Sequence, residues 1–250
     1  MNRKPFLFAL VTMVTFGFSA CRAQDVDGVT GATSVAAENS RTFKVESFST
    51  IELSGVSTIH FTQGEKTSVM AKGRNSQLDA LKIYTKDGCL YISNKSGSYQ
   101  RNGEGCDLYI STPTLTGLKV SGVGTFLAKK VKTPNFTLRL SGVATFDVDQ
   151  LQSDDTHITI SGVGNVSTTV EGDNLYLKTS GVGTTKVNFK GKTADIINSG
   201  VGHTTVSVDC DEVTARNSGE STLTLKGHAD KTNIDNSGVA TVDTSELNNY

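Results

Sequence analysis

Residues 118–127 read LKVSGVGTFL, and the phrase returns as LRLSGVATFD at 138–147, ITISGVGNVS at 158–167, LKTSGVGTTK at 177–186 and IINSGVGHTT at 196–205. Ser-Gly-Val or a close variant starts at Ser54, Ser121, Ser141, Ser161, Ser180, Ser199, Ser218 and Ser237. From Ser121 onward the steps are 20, 20, 19, 19, 19 and 19 residues. A near-constant period of this size marks a stacked repeat architecture.

Aligning the copies on the serine shows what each position requires. Three residues before it stand Ile51, Leu118, Leu138, Ile158, Leu177, Ile196, Ala215 and Ile234. One residue before it stand Leu53, Val120, Leu140, Ile160, Thr179, Asn198, Asn217 and Asn236. Between the two runs a mostly polar column, Glu52, Lys119, Arg139, Thr159, Lys178, Arg216 and Asp235, broken by Ile197. This period-two alternation is that of a half-buried strand. A glycine follows every serine, where the backbone is expected to bend, bulge or take positive φ. A second short strand carries Thr58, Thr125, Thr145, Asn165, Thr184, His203, Thr222 and Thr241 four residues after the serine.

Such a period holds two or three strands with their turns and leaves no room for a helix pair. Stacking like over like predicts an all-β, right-handed parallel β-helix-like solenoid, with coils ~4.8 Å apart and seven coils spanning roughly 30 Å. Asn198, Asn217 and Asn236 would then stack as an amide ladder along the axis. A propeller needs about 40 residues per blade, so it fits only with two repeats to a blade. Residues 41–111 read as irregular first coils of the same body and residues 112–250 as the regular ones.

Composition narrows the class. Hydrophobic residues are 36% and charged residues 20%, enough apolar matter for a core. A formal net charge of −1 argues against a nucleic-acid binder. Tryptophan is absent, which weakens a sugar site built on Trp stacking.

The N-terminus reads as an address. Arg3 and Lys4 precede an apolar run from Phe6 to Phe18 that ends in Ser19 and Ala20, the layout of an export signal over residues 1–20. Phe18-Ser19-Ala20-Cys21 looks like a lipobox, with Cys21 as the lipidated residue and more than one acyl chain anchoring the protein at a membrane. An ordinary signal with a chance cysteine is the alternative. Losing residues 1–20 takes the net charge from −1 to −3. Residues 21–40 are small, polar and aperiodic, and read as a flexible tether. Cys89 and Cys106 each open a strand-like run on either side of a polar loop. A Cys89–Cys106 disulfide and two free thiols are both compatible with an oxidising compartment. Cys210 is left over. No Cys/His spacing suggests a metal, and no cofactor is expected.

The stretch Phe48-Ser49-Thr50-Ile51-Glu52-Leu53-Ser54-Gly55-Val56, then Ile59 to Gly64 and the strands to Ile92, resembles the opening of the head-GIN domain, and the Ser-Gly-Val-Gly-Thr units resemble its body. The resemblance covers roughly residues 40–245. It implies a β-helix-like fold and an adhesin-like, exported and often lipid-anchored protein of Bacteroidota-type bacteria. It carries over no catalytic residue.

Candidate sites follow from the repeat. Lys119, Arg139, Lys178 and Arg216 would line one outer face, a basic stripe able to meet an anionic glycan or other envelope component. A solvated sheet face is the plainer alternative. The threonine column offers a polar recognition face or simply good strand formers. Parallel β-helices also host carbohydrate-active enzymes, for which Asp154-Asp155 and the group Asp209, Asp211 and Glu212 are the acidic spots. Both fall where turns are expected. No serine stands in a nucleophile motif. The expectation is therefore a non-enzymatic binding or adhesion module anchored to the outer membrane, periplasmic or surface-facing. A structural spacer without a ligand and a carbohydrate-active enzyme are the rivals.

Overall fold

Apolar–polar alternation becomes strand throughout the repeats. In Asn135–Leu140, Phe136, Leu138 and Leu140 are buried while Asn135 and Arg139 face solvent. The computed structural model describes residues 39–95 and 105–249. The export signal, Cys21 and the tether as far as residue 38 lie outside them. In chain order the strands are β1 (Asn39–Phe43), β2 (Thr50–Leu53), β3 (Val56–Gln63) and β4 (Ser68–Gly73), followed by helix α1 (Asn75–Ala80). Then come β5 (Leu81–Lys86), β6 (Cys89–Asn94), β7 (Cys106–Thr112), β8 (Gly117–Val120), β9 (Val123–Lys132) and β10 (Asn135–Leu140). The chain finishes with β11 (Val143–Gln152), β12 (Asp155–Ile160), β13 (Val163–Glu171), β14 (Asn174–Thr179) and the long strands β15 (Val182–Asn198), β16 (Val201–Asn217) and β17 (Glu220–Asn236), then β18 (Thr241–Asn248).

These strands stack into two parallel ladders, and together they make a β-solenoid of about seven turns. The first ladder holds the strand before each Ser-Gly: β8 pairs with β10, β10 with β12, β12 with β14, and β14 with the second half of β15. The second holds the strand after it: β9 pairs with β11, β11 with β13, and β13 with the first half of β15. From β15 onward one continuous strand serves both ladders, and β16 and β17 stack on it in register. Parallel pairing between successive repeats is the solenoid arrangement, so the two-repeats-per-blade propeller is not the fold.

The change of period has a local cause. In the pairing of β11 with β13 the register shifts between Val148 and Leu151, so Asp149 and Gln150 together face Thr169. The twenty-residue repeats thus carry a β-bulge, one extra residue in the second strand. β9 keeps register with β11 through Lys130 opposite Gln150, so it carries the same bulge.

The invariant glycine is required by stacking. A Cβ on Gly142 would lie 2.0 Å from the carbonyl oxygen of Gly122, and one on Gly162 would lie 2.0 Å from that of Gly142. Each turn rests on the turn below, with Val143 N donating to Gly122 O at 2.9 Å and Val163 N to Gly142 O at 3.0 Å. The expected positive φ holds for Gly219 and Gly238 in the last turns but is not needed at Gly142 or Gly162.

The interior changes character along the axis. Phe61, Phe126 and Phe146 stack at 5.7 Å and 5.5 Å between ring centroids, all buried. Farther along, the interior turns polar at Thr179, Asn198 and Asn217. The amide ladder forms as expected: Asn198 Nδ2 donates to Asn217 Oδ1 at 2.9 Å, and Asn217 Nδ2 to Asn236 Oδ1 at 3.3 Å. Thr179 Oγ1 bonds Asn198 Oδ1 and joins the ladder to the apolar half.

The irregular coils belong to the same body, but not in chain order. The layer β2–β3 pairs on one side with β8–β9 and on the other with β6–β7. The chain therefore lays down the second layer first, steps outward, and crosses back. That step is made by β4, which runs antiparallel to β7, by α1 with Leu78 and Ala80 buried, and by β5 antiparallel to β6. β1 pairs antiparallel with β4 and so begins within the stretch read as tether. Among the described residues no helix is long and apolar enough to cross a membrane.

Candidate functional site

The anticipated basic stripe lies on the outer side of the first ladder. Pairing sets the column as Glu52, Lys119, Arg139, Thr159, Lys178, Ile197, Arg216 and Asp235. Lys119 Nζ sits 3.1 Å from Glu52 and Arg216 lies 3.9 Å from Asp195, so two of the four cations already have acidic neighbours. Arg139 and Lys178 form no ion pair among the described residues, and Thr159 separates them. The column is in register, yet it is a mixed-charge face.

The second ladder shows what the sequence did not flag. The valine after each glycine points outward, with Val123, Val143, Val163, Val182 and Val201 all about half exposed. Two residues on, the Thr125, Thr145, Asn165 and Thr184 column runs beside it in register. Val123, Val143 and Val163 with Thr125, Thr145 and Asn165 line a shallow, uncharged groove of about 330 Å3 that also takes in Val56 and Thr58. Its signal was the repetition itself: a valine recurs in seven of eight copies at a position the core does not use.

A larger cleft of about 740 Å3 opens where the bulges are. His60, Phe61 and Gln63 of β3 line it with Leu127, Lys129 and Lys130 of β9 and Asp147 and Asp149 of β11. One wall is held rigidly. Gln63 donates through Nε2 to Pro113 O and Lys132 O, both at 2.8 Å, and its Oε1 accepts from Lys132 N at 2.7 Å. The His60 ring stacks on Tyr109 at 4.9 Å and lies 3.2 Å from Asp107 Oδ1, while Lys72 Nζ stands 4.6 Å from the Tyr109 ring centre.

Of the acidic spots, Asp155 and Asp209 have side-chain partners, and Asp209, Asp211 and Glu212 lie within strand β16 rather than in the expected turn. Asp209 meets Lys190 at 2.9 Å, and the hydrogen bond and charge of that ammonium hold its carboxyl below the usual range. Asp155 Oδ1 accepts from Asn174 Nδ2 at 2.7 Å. Glu171 is likewise lowered, by amide donors from Gln152 and then Gln150. Among the described residues no group of three or more His, Cys, Asp or Glu side chains is placed to hold a metal.

The Cys89–Cys106 disulfide is absent: both thiols are free, as is Cys210. The reason is topological, since Cys89 opposes Thr50 in the first ladder and Cys106 opposes Ser57 in the second. Burial pushes the Cys106 and Cys210 thiols up to about 11. Neither is a nucleophile near neutral pH.

A solenoid of short Ser-Gly-Val coils with long, uncharged outer rows defines a class of repetitive β-proteins that present faces rather than deep pockets. The chain belongs to the family described as "Putative auto-transporter adhesin, head GIN domain", whose model matches residues 47–188 and 184–249. Among solved structures, a "putative adhesin" from Bacteroides fragilis is 24% identical with a TM-score of 0.78, over 83% of this chain and 96% of that one. A "putative adhesin" from Parabacteroides distasonis is 15% identical with a TM-score of 0.62, over 84% and 98%. A "putative lipid binding protein" from the same species is 16% identical with a TM-score of 0.56, over 84% and 98%. No curated protein matches the sequence.

Proposed function

We propose that this protein is a non-enzymatic adhesion module, held at the bacterial envelope by lipid on Cys21 and presenting the outer surface of its solenoid to a partner. The observation that carries this reading is the paired valine and threonine rows of the second ladder. Packing accounts for repetition of inward residues, yet here the repetition extends to side chains that face solvent. A long row of exposed methyls beside hydroxyls is the kind of patch that marks an interaction surface. The adhesin descriptions of the family and of two structural neighbours support the same reading. The first-ladder stripe is the lesser candidate for an anionic partner, because Lys119 and Arg216 stand beside acids and only Arg139 and Lys178 are left for a ligand.

The test is adhesion of cells carrying the wild-type chain or the triple variant Val143→Glu, Val163→Glu, Val182→Glu to polysaccharide-coated surfaces. These side chains are half exposed, so the fold should survive. Loss of adhesion in the variant supports the reading. Equal adhesion by wild-type, variant and deletion strains would leave the body as a spacer.

A further inference from the structure

The bulged coils β9 and β11 interrupt the regular 19-residue repeat, and beside the bulge a cleft opens that combines apolar, cationic and acidic side chains. From its geometry we infer that this cleft is a saccharide-binding subsite, taking a pyranose unit with adjacent hydroxyls. The inference rests on the adhesion reading above and names the ligand class for it. Bulges re-aim side chains and recur beside binding sites. Here the extra residue turns Lys129 and Lys130 outward together on β9, and Asp149 outward on β11.

The floor is apolar. Leu127 lies in register between His60 on one side and Asp147 on the other. The imidazole is backed by Tyr109 at 4.9 Å, at an interplanar angle of 13°, and lies 3.2 Å from Asp107. A fixed flat ring next to a leucine suits the carbon–hydrogen face of a sugar. The end wall is Gln63, whose amide is spent on backbone groups and so shapes the cleft without competing for the ligand.

The rim carries Lys129, Lys130 and Lys132 with Asp147 and Asp149, and none of the five makes an ion pair among the described residues. Ammonium groups supply donors and carboxylates supply acceptors. A purely anionic ligand would meet Asp147 and Asp149, and a cationic one would meet Lys129, Lys130 and Lys132. Hydroxyls both donate and accept without net charge, and match both kinds of group. The volume of about 740 Å3 falls in the range of small-ligand sites.

The experiment uses the full chain, purified in a sugar-free detergent, on an array of neutral, amino and acidic glycans, with Asp149→Ala, Asp147→Asn and Leu127→Lys as variants. A neutral or amino glycan should bind; each aspartate variant should weaken it about tenfold or more, the loss of one charged hydrogen bond, and Leu127→Lys should weaken it as much by placing an ammonium on the apolar floor. Circular dichroism and melting confirm that each variant folds. If glycans bind and the cleft variants do not matter while the valine triple variant abolishes binding, the cleft proposal fails and the adhesion reading stands. If no glycan binds, the proposal fails. If phosphatidylglycerol vesicles bind instead and Leu127→Lys changes that binding, the cleft takes lipid and the saccharide assignment is overturned. Adhesion of intact cells, compared between wild-type and deletion strains, reports on the wider reading independently.

Discussion

The two halves of the solenoid solve the same packing problem with different matter. Toward the end built from the irregular first layers the interior is aromatic, with Phe126, Phe136 and Phe146 fully buried. Toward the other end Thr204 continues the column of Phe126 and Phe146, and Thr179, Asn198 and Asn217 continue that of Leu140 and Ile160, joined by hydrogen bonds along and across the coils. Apolar burial is non-directional and rewards area. Amide stacking is directional, contributes less net energy, and is costly when one partner is missing. The aromatic half should therefore carry most of the stability, and the amide half should fix the register in which coils stack.

The largest effect should come from Phe146→Ala, which leaves a cavity beside Phe126 and Phe136 and is expected to cost about 3–5 kcal/mol in denaturant unfolding. Next is Gly162→Ala. The new methyl meets the carbonyl of Gly142, and no flexible side chain can yield, so a loss of about 3 kcal/mol is expected. Gly88→Ala, where nothing lies within 4 Å, should cost about 1 kcal/mol through its φ of +72° alone. Asn217→Val breaks the ladder in its middle and should cost about 2 kcal/mol. A loss for Asn217→Val as large as for Phe146→Ala would erase the contrast between the halves.

The smallest effect is electrostatic, on the outer face of the amide half. The folded carboxyl of Asp209 is held below its ordinary range by Lys190, so its contribution is present above the unfolded value and is lost as pH falls through the folded one. Because the pair is exposed, Asp209→Asn should leave stability at neutral pH nearly unchanged and flatten the acid limb slightly.

Much of this was legible in the repeat. Alternation around Ser121, Ser141 and Ser161 placed the strands, and the fixed period placed the coils over one another. The switch from Ile160 to Asn198 announced the amide ladder. Three things were hidden, each for a physical reason. The order of the first layers depends on long-range pairing of β2 with both β6 and β8, which no local pattern encodes. The step from 20 to 19 residues was visible, but only register showed that the surplus residue builds a bulge and opens a cleft. Glu52 stood in the aligned column beside Lys119, but Asp195 belongs to a different position of the coil next to Arg216, so that pairing was not visible in the column.

An adhesive solenoid must face outward from the cell. Exposed lysines such as Lys129, Lys178 and Lys186 allow a membrane-impermeant amine label to be applied to intact and lysed cells, with Cys21→Ala as the unanchored control. An adhesion module predicts strong labelling of cell-associated protein before lysis, and release of the Cys21→Ala chain from the cells. Labelling that appears only after lysis would place the body inside the envelope and contradict an adhesive role.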